Sequence, residues 1–326
     1  MELRQLLKTS MKNTKIVKDK KMIVCSGEAL IDMIPTKCAN EEIAYVPKIG
    51  GAILNTSIAL GRLGANVSFL GSVSNDVFGD MILDELKKSK VNTSLCMETS
   101  SHTTLAFATI KNGTTTYSFF DENSSNKNIS LENISLDDEV NSLYVGGISL
   151  MSEPNGSEIE LFINKESSNK VVFFDPNIRP SFISNKENYM KRFENILSQT
   201  DIIKVSDEDL EWICPNKTFD EVCEKWLNLG VNIIILTKGS EGAIIKTKDS
   251  LIVASGQKVQ VVDTIGAGDI FNAGFLFLLS QNEKFSKNDL INIDENFLKD
   301  SLNFAIKIAA ISVGRTGANA PYFNEL

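Results

Sequence analysis

Short apolar runs alternate with segments of helical periodicity from Met22 onward. The apolar runs predict strands at 22–27, 67–73, 142–150, 171–177, 201–206 and 232–238. Several of them are apolar throughout, as expected for strands that are buried on both faces of a parallel sheet. The segments between them predict helices at 52–63, 77–90, 155–167, 187–198 and 218–229. Such alternation predicts an α/β fold in which helices cover both faces of a central sheet.

One segment departs from this alternation and predicts a β-hairpin. The runs LAFATIK (105–111) and TTTYSFF (114–120) flank Asn112-Gly113, a pair that favours a type I′ turn between antiparallel strands. An antiparallel hairpin beside a parallel sheet suggests a flap or lid. The rest of the chain shows no internal repeat, coiled coil or Pro-rich linker, so we expect one domain that carries a lid.

The composition is that of a globular protein, with 42% hydrophobic and 23% charged residues among 326. The net charge of -9 argues against a nucleic-acid binder, because no basic face is available to neutralise phosphates. No apolar run approaches the ~18–20 residues that cross a bilayer, which argues against a membrane span. We therefore expect neither nucleic acid nor a membrane as a partner.

The cysteine and histidine content restricts the chemistry. The five cysteines are widely spaced and form no CxxC pair, which fits reduced thiols in the cytosol better than disulfides or a zinc site. The one histidine, His102, lies in the loop-like stretch SSHTT, where we expect an exposed residue without a catalytic role. A site with several histidine ligands is excluded, and a Ser–His–Asp triad is not expected. A carboxylate, Lys or Tyr must therefore move the proton in any acid–base reaction.

Residues 1–21 differ from the rest of the chain. They hold seven Lys or Arg residues against Glu2 and Asp19, a net charge of +5, and they lack a sustained apolar stretch. A secretory signal is therefore not expected. The segment fits a disordered tail, or a start assigned upstream of the true one at Met11 or Met22, with a basic organelle-targeting peptide as the alternative. The predicted domain comprises residues 22–326.

The strongest chemical signal is the segment VVDTIGAGDIFNAGFLFLLS at 261–280. A predicted strand end leads into Gly266-Ala267-Gly268-Asp269, and an almost wholly apolar helix follows. The glycines let the backbone approach an anion closely, and the free N–H groups of the helix's first turn point at it. Asp269 then lies where a carboxylate can deprotonate an alcohol beside a transferring phosphoryl group. A plain glycine turn with an aspartate cap is the alternative, and the preceding Asp263-Thr264 argues against it.

A second signal is the segment GGAILNTSIALGRLG at 50–64. Gly50-Gly51 opens a predicted helix that ends at Gly64 as a C′ glycine, and Asn55 lies in its first turn. The glycines permit close approach of a ligand, and an asparagine offers both a donor and an acceptor to sugar hydroxyls. A glycine loop with Asn55 as a local cap is the alternative.

Other motifs for phosphate, nucleotide or acyl chemistry are absent. The chain has no Gly-Lys dipeptide and hence no GxxxxGK[ST] loop. Phe271 occupies the last position of the would-be GxGxxG run, which disfavours a Rossmann dinucleotide site. No GxSxG nucleophile elbow is present either.

With these two segments, the chain resembles the ribokinase-like (PfkB) carbohydrate kinases. The GG-x-x-x-N helix and the DT-x-GAGD loop are that family's two signatures, and here they stand in the family's order about 210 residues apart. The resemblance covers about Met22 to Leu326 and implies a three-layer αβα sandwich with a central, mostly parallel sheet. It also implies a small β-lid formed by about 31–48 and 103–121. Within the family the chain looks most like bacterial fructokinases, in GEALIDMIP (27–35), FFDENS (119–124), FDPNIRP (174–180) and KVSDEDL (204–210).

The resemblance implies roles for residues on the sugar and phosphate side of the site. Asp269 matches the family's catalytic base. The implied anion hole is Gly266, Ala267 and Gly268, and the implied sugar-binding residues are Asp32, Gly50, Gly51, Asn55 and Asn177. Arg179 resembles a residue near the transferring phosphate, where a guanidinium would offset developing charge better than Lys; a surface ion pair is its alternative role.

ATP, Mg²⁺ and K⁺ are the cofactors that the resemblance brings with it. The residues that match the nucleotide site are Ser206, Thr237, Lys238, Gly239, Gly242 and Asn303. Asp209 and Glu208 match a magnesium shell reached through water, although much of the family has Asn-x-x-Glu where this chain has Ser206-x-x-Asp209. Asp263, with the loop at 312–321, resembles the family's monovalent-cation site.

The function that the resemblance implies is ATP-dependent phosphorylation of a fructose hydroxyl in the cytoplasm. Kinases of 2-keto-3-deoxygluconate, ribose or a nucleoside are alternatives; an acidic sugar would call for an extra Arg or Lys in the pocket, and the hairpin supplies only Lys111 at its tip. A non-catalytic sugar- or nucleotide-binding paralogue is a third alternative, which the retention of Asp269, the GAG segment and Arg179 disfavours. Pairing of two copies through their lids would make a homodimer.

Overall fold

The structure is a computed structural model, and it describes residues 21–111 and 114–326. The basic segment 1–21, apart from Lys21, and the turn at Asn112-Gly113 lie outside the described residues.

The helices begin and end at residues that follow the sequence pattern closely. They are α1 (Ala52–Leu63), α2 (Val77–Lys88), α3 (Asn155–Glu166), α4 (Lys186–Leu197), α5 (Asp207–Ile213), α6 (Phe219–Asn228), α7 (Ala267–Gln281), α8 (Lys287–Ile291) and α9 (Glu295–Val313). The strands are β1 (Met22–Ser26), β2 (Leu30–Lys37), β3 (Ile43–Gly50), β4 (Val67–Leu70), β5 (Ser72–Ser74), β6 (Met97–Thr99), β7 (Thr104–Lys111), β8 (Thr114–Phe120), β9 (Val140–Gly146), β10 (Val171–Asp175), β11 (Ile202–Ser206), β12 (Ile233–Thr237), β13 (Gly242–Lys246) and β14 (Leu251–Ser255).

The main sheet has eight strands in the order β14-β13-β12-β11-β10-β9-β1-β4. The strands from β12 to β4 in this order pair in parallel, and β13 and β14 are added antiparallel at one edge. Along β10, Val171 and Phe173 pack on one face of the sheet with α1 and α7, whereas Val172 and Phe174 pack on the other with α3 and α4. Because successive side chains of a strand point to opposite faces, uninterrupted apolar runs need a core on both. The predicted α/β three-layer sandwich is confirmed.

Glycines end two of the predicted strands earlier than the apolar pattern indicates. The run 67–73 is divided at Gly71 into β4 and β5. The run 142–150 ends as a strand at Gly146, because this residue passes so close to the next strand that a Cβ would lie 1.8 Å from the carbonyl oxygen of Asp175. Gly147 follows with φ of 68°, and the chain turns away from the sheet.

A separate four-stranded sheet has the order β3-β2-β7-β8. Two antiparallel hairpins, β2–β3 and β7–β8, are joined by parallel pairing of β2 with β7. The hairpin predicted from 105–111 and 114–120 is confirmed, and it lies in this second sheet instead of beside the parallel strands. The four strands fall close to the segments 31–48 and 103–121; that they act as a lid on a single domain stays a prediction.

Helix α7 is buried along almost its whole length between α1 and α9. Its side chains from Asp269 to Leu279 are buried, including Phe275 at the centre of the core. Each fully buried aliphatic or aromatic side chain contributes about 1.5–3 kcal/mol to stability. The N-terminus of α7 is therefore carried by one of the most firmly held elements of the molecule.

Two further observations bear on the predicted environment of the protein. The cysteines of the described chain are all free thiols. Over 21–111 and 114–326, no helix combines the length and the apolarity that a membrane crossing needs.

Candidate active site

A cavity of about 650 Å³ lies between the carboxyl ends of β1, β9 and β10 and the four-stranded sheet. The N-termini of α1 and α7 reach it from one side, and β2 and β8 of the smaller sheet close it from the other. In open α/β sheets ligands bind beyond the carboxyl ends of the strands. This cavity is therefore the candidate active site.

Asp269 is the third residue of α7, and only 7% of it is exposed. The helix begins after Gly266, whose φ of 73° lies in the left-handed region that favours glycine. A Cβ on Gly266 would also lie 2.4 Å from the Cβ of Ala318, so this turn has no room for a larger residue. The tight turn brings the carboxylate of Asp269 into the wall of the cavity.

The amide groups at the start of α7 form a candidate anion site. The N–H of Ala267 donates to the carbonyl of Thr264 across 3.2 Å. Within the part of the chain that the structure describes, the N–H groups of Gly266, Gly268 and Asp269 have no acceptor. Free N–H groups and the helix dipole both favour an anion there. Of the predicted anion hole, Gly266 and Gly268 have free amides and Ala267 does not.

Asn55 contacts the predicted base directly. Its side-chain Nδ2 donates to Oδ2 of Asp269 across 2.9 Å, and both groups are buried. Thr56, the next residue of α1, donates through its hydroxyl to the backbone carbonyl of Asp269 across 3.1 Å. Helix α1 therefore fixes both the position and the orientation of the Asp269 carboxylate.

The pKa of Asp269 is raised from its ordinary value to about 7. Burial is the main cause, and the nearby carboxylate of Asp175 adds to it. The hydrogen bond from Asn55 and the charges of Lys204 and Arg179 oppose the rise. A carboxylate whose pKa lies near neutrality is suited to general-base catalysis, since it takes a proton readily and still ionises.

Lys204 is a cavity residue that the sequence analysis missed. It lies on β11, is buried, and forms an ion pair with Asp175 at 3.2 Å. Its Nζ lies 3.3 Å from the position that a Cβ on Gly268 would take, directly beneath the anion site. Burial alone would lower the pKa of Lys204, but the carboxylates of Asp175, Asp209 and Asp269 outweigh burial and raise it. The ammonium group is therefore charged.

A network of buried hydrogen bonds holds the Asp175 carboxylate of this ion pair in place. Asn272 of α7 donates to Oδ2 of Asp175 across 2.6 Å and to the hydroxyl of Tyr144 across 2.9 Å. Thr56 bonds the same hydroxyl across 3.3 Å. Asp175 is therefore held by α7 and β11 together, which fixes Lys204 as well.

Arg179 and Asn177 line the cavity from the segment that follows β10. Arg179 is exposed and makes hydrogen bonds to the carbonyls of Asn177 and Ile178, with no ion pair to any described residue. Its guanidinium therefore keeps donors free for a ligand, which argues against the surface ion pair. Asn177 has φ of 42°, a conformation that asparagine tolerates better than most residues.

Asp32 enters the cavity from β2, and its environment explains the glycine at position 50. A Cβ on Gly50 would lie 2.2 Å from Oδ2 of Asp32, so the first glycine of the pair makes room for a carboxylate. Burial raises the pKa of Asp32 to about 6. Gly51 lines the cavity, and Gly50 is buried behind it.

The predicted magnesium residues differ in how free they are. Oδ2 of Asp209 accepts hydrogen bonds from the backbone and hydroxyl of Ser206, and Oδ1 accepts one from the N–H of Ile178. Asp209 thus caps α5 and fastens the segment that carries Arg179. Glu208 is exposed. Among the residues described, no group of three or more His, Cys, Asp or Glu side chains could hold a metal ion by itself.

The predicted nucleotide residues lie outside the cavity, on the neighbouring strand ends. Ser206 and Thr237 are paired across β11 and β12. Lys238 and Gly239 follow, and the half-buried Lys238 forms an ion pair with Glu241. Gly242 begins β13. Asn303 is exposed on α9, a helix that packs against β13 and β14. The role of these residues in nucleotide binding stays a prediction.

Asp263 connects the loop before α7 to the C-terminal loop. Its Oδ1 accepts a hydrogen bond from the N–H of Ile265, and its Oδ2 accepts one from the N–H of Gly317. The two segments that the sequence pairs in a monovalent-cation site are therefore adjacent.

Two signals in the sequence could have revealed the missed residues. Lys204 interrupts the apolar run DIIKVS, and a charge inside a buried strand needs a partner or a function. Glu28 follows β1 at the carboxyl end of the sheet, lines the cavity and is only 2% exposed. Both are charged residues within or shortly after an apolar strand, and that local pattern marks them as candidates; their partners are known only from the fold.

Comparison with known proteins gives consistent matches. The model of the pfkB family carbohydrate kinases matches residues 20–324. A fructokinase of Rhizobium leguminosarum bv. trifolii is 40% identical over 280 residues, 86% of each chain. A probable chloroplastic fructokinase-6 of Arabidopsis thaliana is 31% identical over 91% of this chain and 78% of its own. The crystal structure of a fructokinase with bound ATP from Xylella fastidiosa superposes with a TM-score of 0.84 at 26% identity, covering 94% of this chain and 95% of that one.

Proposed function

The chain belongs to the pfkB family of carbohydrate kinases, and from this premise we propose that it is an ATP-dependent fructokinase. The reaction would transfer the γ-phosphate of ATP to a hydroxyl of D-fructose. The observation that carries the reaction type is the buried carboxylate of Asp269 beside the free N–H groups of α7. The sugar is argued from the 40% identity to a fructokinase over 86% of the chain.

Asp269 acts in this proposal as the general base. It would accept the proton of the sugar hydroxyl as the oxygen attacks the γ-phosphorus and the bond to the leaving ADP oxygen breaks. Asn55 holds the carboxylate in one orientation. Asp32, Asn177 and the backbone at Gly51 would bind the other hydroxyls, because all three line the same cavity.

Charge on the transferring phosphoryl group is met by three groups of this chain. The free amides of Gly266 and Gly268 lie at the positive end of α7. We assign Lys204 to the same phosphoryl group from beneath the loop, because its ammonium is fixed by Asp175 next to Gly268. Arg179 approaches from the segment after β10. Such neutralisation is the largest contribution that a protein makes to phosphoryl transfer, whose transition state is loose and highly charged.

ATP would lie along the strand ends beyond this cavity, on Ser206, Thr237, Lys238, Gly239, Gly242 and Asn303. Two of these residues are adjacent across β11 and β12. Two more, Gly239 and Gly242, have positive φ. Gly239 has nothing within 4 Å of a would-be Cβ and leaves the backbone open for close approach, whereas Gly242 packs against the carbonyl of Ala254. The similarity to a fructokinase structure with bound ATP supports ATP as the nucleotide.

Mg²⁺, when bound with ATP, would supply positive charge that offsets the charge of the phosphates. Proteins often hold Mg²⁺ through one or two carboxylates, with waters and substrate phosphates completing the shell. The residues present fit that arrangement: Glu208 is exposed at the start of α5, and Asp209 beside it would act through water. A K⁺ site at Asp263 and the loop 312–321 stays a prediction from the resemblance.

We further propose a cytoplasmic homodimer. The free cysteines fit a reducing compartment. The outer face of the four-stranded sheet exposes Ile43, Tyr45 and Phe120, which a second copy would cover.

The test of this function is ADP release measured with MgATP against a panel of acceptors. The panel holds fructose, ribose, glucose, 2-keto-3-deoxygluconate, adenosine and aminoimidazole riboside. We expect a kcat/KM for fructose at least about tenfold above every other acceptor, which is ~1.4 kcal/mol of transition-state discrimination. A different best acceptor would overturn the choice of sugar and leave the mechanism standing. No turnover with any acceptor would contradict the kinase proposal itself.

A further inference from the structure

Glu28 is a buried carboxylate in the cavity wall that the proposed reaction leaves without a role. It is 2% exposed and yet lines the same space as Asp32 and Asp269. Within 21–111 and 114–326, no lysine or arginine forms an ion pair with it. Burial raises the pKa of Glu28, and hydrogen bonds from backbone and hydroxyl donors oppose this rise and favour the charged form. A buried carboxylate without a cation is costly unless hydrogen bonds satisfy it.

The fold builds a close-fitting site around this carboxylate. A Cβ on Gly147 would lie 2.4 Å from its Oε1, and one on Gly51 would lie 2.8 Å from the carbonyl oxygen of Glu28. Both glycines have positive φ, 68° and 107°. Because neither glycine has a side chain, both loops can approach Glu28 closely, and this close packing fixes Glu28 in a single place.

The hydrogen bonds of Glu28 join three segments at the base of the cavity. Oε1 accepts from the N–H of Ala52, the first residue of α1, across 2.9 Å. Oε2 accepts from the N–H of Ser149 across 3.3 Å. The N-terminus of α1 is thus occupied by a side chain of the protein, whereas that of α7 keeps free amides. The N-terminus of α7 is therefore suited to binding an anion, whereas the partial positive charge at the N-terminus of α1 is already offset by Glu28.

The carboxylate of Glu28 still has capacity for a donor from the cavity. A carboxylate offers about four acceptor positions, and the N–H groups of Ala52 and Ser149 take two of them. The Ser149 hydroxyl also acts on Glu28, but its proton is donated to the carbonyl of Gly146 across 2.8 Å. Helix α1 also links this group to the base, because Ala52 binds Glu28 and Asn55, one turn later, binds Asp269.

We propose that Glu28 binds the substrate directly, accepting a hydrogen bond from a sugar hydroxyl other than the one that is phosphorylated. The ligand class is an uncharged polyol, because a hydroxyl can donate here and a carboxylate or carbonyl of the substrate cannot. This inference rests on the proposed sugar-kinase function and names a residue that sets which hydroxyl pattern is accepted.

The test combines a substitution of Glu28 with removal of single hydroxyls from fructose. Wild type and Glu28→Gln are assayed with fructose and with each monodeoxyfructose that keeps the reacting hydroxyl. In the wild type, one analogue is expected to lose about 10- to 100-fold in kcat/KM, the loss typical of a hydrogen bond to a charged group. In Glu28→Gln the same analogue should lose less than about threefold relative to fructose, because its partner is already gone. The KM for ATP should stay within about twofold.

Glu166→Gln is the matched control. Glu166 is also a buried glutamate that accepts a backbone hydrogen bond, from Leu136, but it lies outside the cavity and, unlike Glu28, pairs with Lys170 at 3.4 Å. Its losses with the analogues should equal those of the wild type. If Glu28→Gln does not fold, Glu28→Asp keeps a carboxylate at the site and withdraws it by one methylene, and the same comparison is made with it.

The outcomes separate this inference from the proposed function. Equal losses with every analogue in wild type and Glu28 variants would overturn the role of Glu28 while leaving fructose as substrate. A wild type that prefers another acceptor overturns the proposed sugar, and the deoxy series is then built on that acceptor. If one deoxy analogue in that series loses activity with the wild type but not with the Glu28 variant, the result would still support the sugar-binding role of Glu28.

Discussion

At the scale of single residues, the chemistry depends on Asp269. Replacing it with asparagine keeps the shape and the contact to Asn55 but removes the ability to take a proton. We expect Asp269→Asn to lose kcat by roughly 10²–10⁴-fold, the range of a general base, with sugar binding largely retained. Steady-state kinetics with fructose and a direct binding measurement check both parts.

Asp294→Asn is the control for this substitution. Asp294 caps α9 far from the cavity by accepting the N–H of Phe297, and asparagine caps a helix as well as aspartate does. Its kinetics should be those of the wild type. A kcat of Asp269→Asn within tenfold of wild type would show that another group is the base.

The pH dependence follows from the raised pKa of Asp269. With a pKa of about 7 in the free protein, the carboxylate is protonated below that pH, and kcat/KM should fall about tenfold per pH unit there. Asn55 stabilises the charged form, so Asn55→Ala should move this acidic limb to higher pH. The measurement is kcat/KM for fructose from pH 5 to 9 in both proteins. A limb that stays in place or moves to lower pH would contradict the assigned contact.

The position of Asp269 in the cavity was predictable at this scale, but its hydrogen-bond partner was not. Asp269 follows from a local pattern, two glycines before an apolar helix. Asn55 was predicted to bind the sugar, and in the structure its donor reaches Asp269 across 214 positions of the chain. That contact exists because α1 packs against α7, which no segment of the sequence reports alone.

At the scale of elements, the first turn of α7 forms the proposed anion site. Gly266 needs a positive φ and has Ala318 at 2.4 Å from a would-be Cβ. Gly266→Ala should therefore cost about 1–2 kcal/mol from backbone strain and further stability from the clash. Because the strain falls on the turn that orients the free amides, kcat should drop at least about tenfold.

The substitution Gly64→Ala is the control that separates the effect of backbone strain from an effect on the anion site. Gly64 caps α1 with φ of 90° and has nothing within 4 Å of a would-be Cβ. Thermal unfolding should show a comparable strain cost for Gly64→Ala with kcat unchanged. If both variants kept wild-type kcat, the loop at 266–268 would not be the anion site.

Elements were predictable where a periodic pattern is long and unbroken. The predicted helices and the central parallel strands are present within a few residues of their predicted bounds. The strands β13 and β14 were missed, because GAIIK and LIVAS are short and form a hairpin without an intervening helix. Lys204 was missed because the apolar pattern of a strand shows only which of its faces are buried. The role of this lysine depends on its ion pair with Asp175 of the neighbouring strand.

At the scale of the whole molecule, the two sheets have different surroundings. The main sheet is covered by helices on both faces, whereas the smaller sheet faces the cavity on one side. Its other side carries an aromatic row: Tyr45 packs on Phe107 at 5.0 Å between ring centroids, and Phe107 on Phe120 at 5.3 Å. Phe120 is 63% exposed and Ile43 is 66% exposed. Exposed apolar rows of this kind mark interaction sites.

The edges of this sheet point to the same conclusion. Strands β3 and β8 are its two outer strands, so each has a row of backbone groups without a strand partner. Open edges pair readily with another chain, and natural proteins usually cover them. A second copy of the chain would supply both an aromatic face and strand edges, and it would hold the sheet over the sugar.

The substitution Phe120→Lys tests this arrangement. A charge at this exposed end of the aromatic row should convert a dimer to a monomer and raise the KM for fructose several-fold, because an unsupported sheet closes the cavity less often. Leu161→Lys is the matched control, since Leu161 is 67% exposed on α3, away from the smaller sheet. Sedimentation measures the mass of each protein, and kinetics measures the KM. A wild type that sediments as a monomer at assay concentration would contradict the dimer, and a monomeric Phe120→Lys with an unchanged KM would show that the sheet closes over the sugar without a partner.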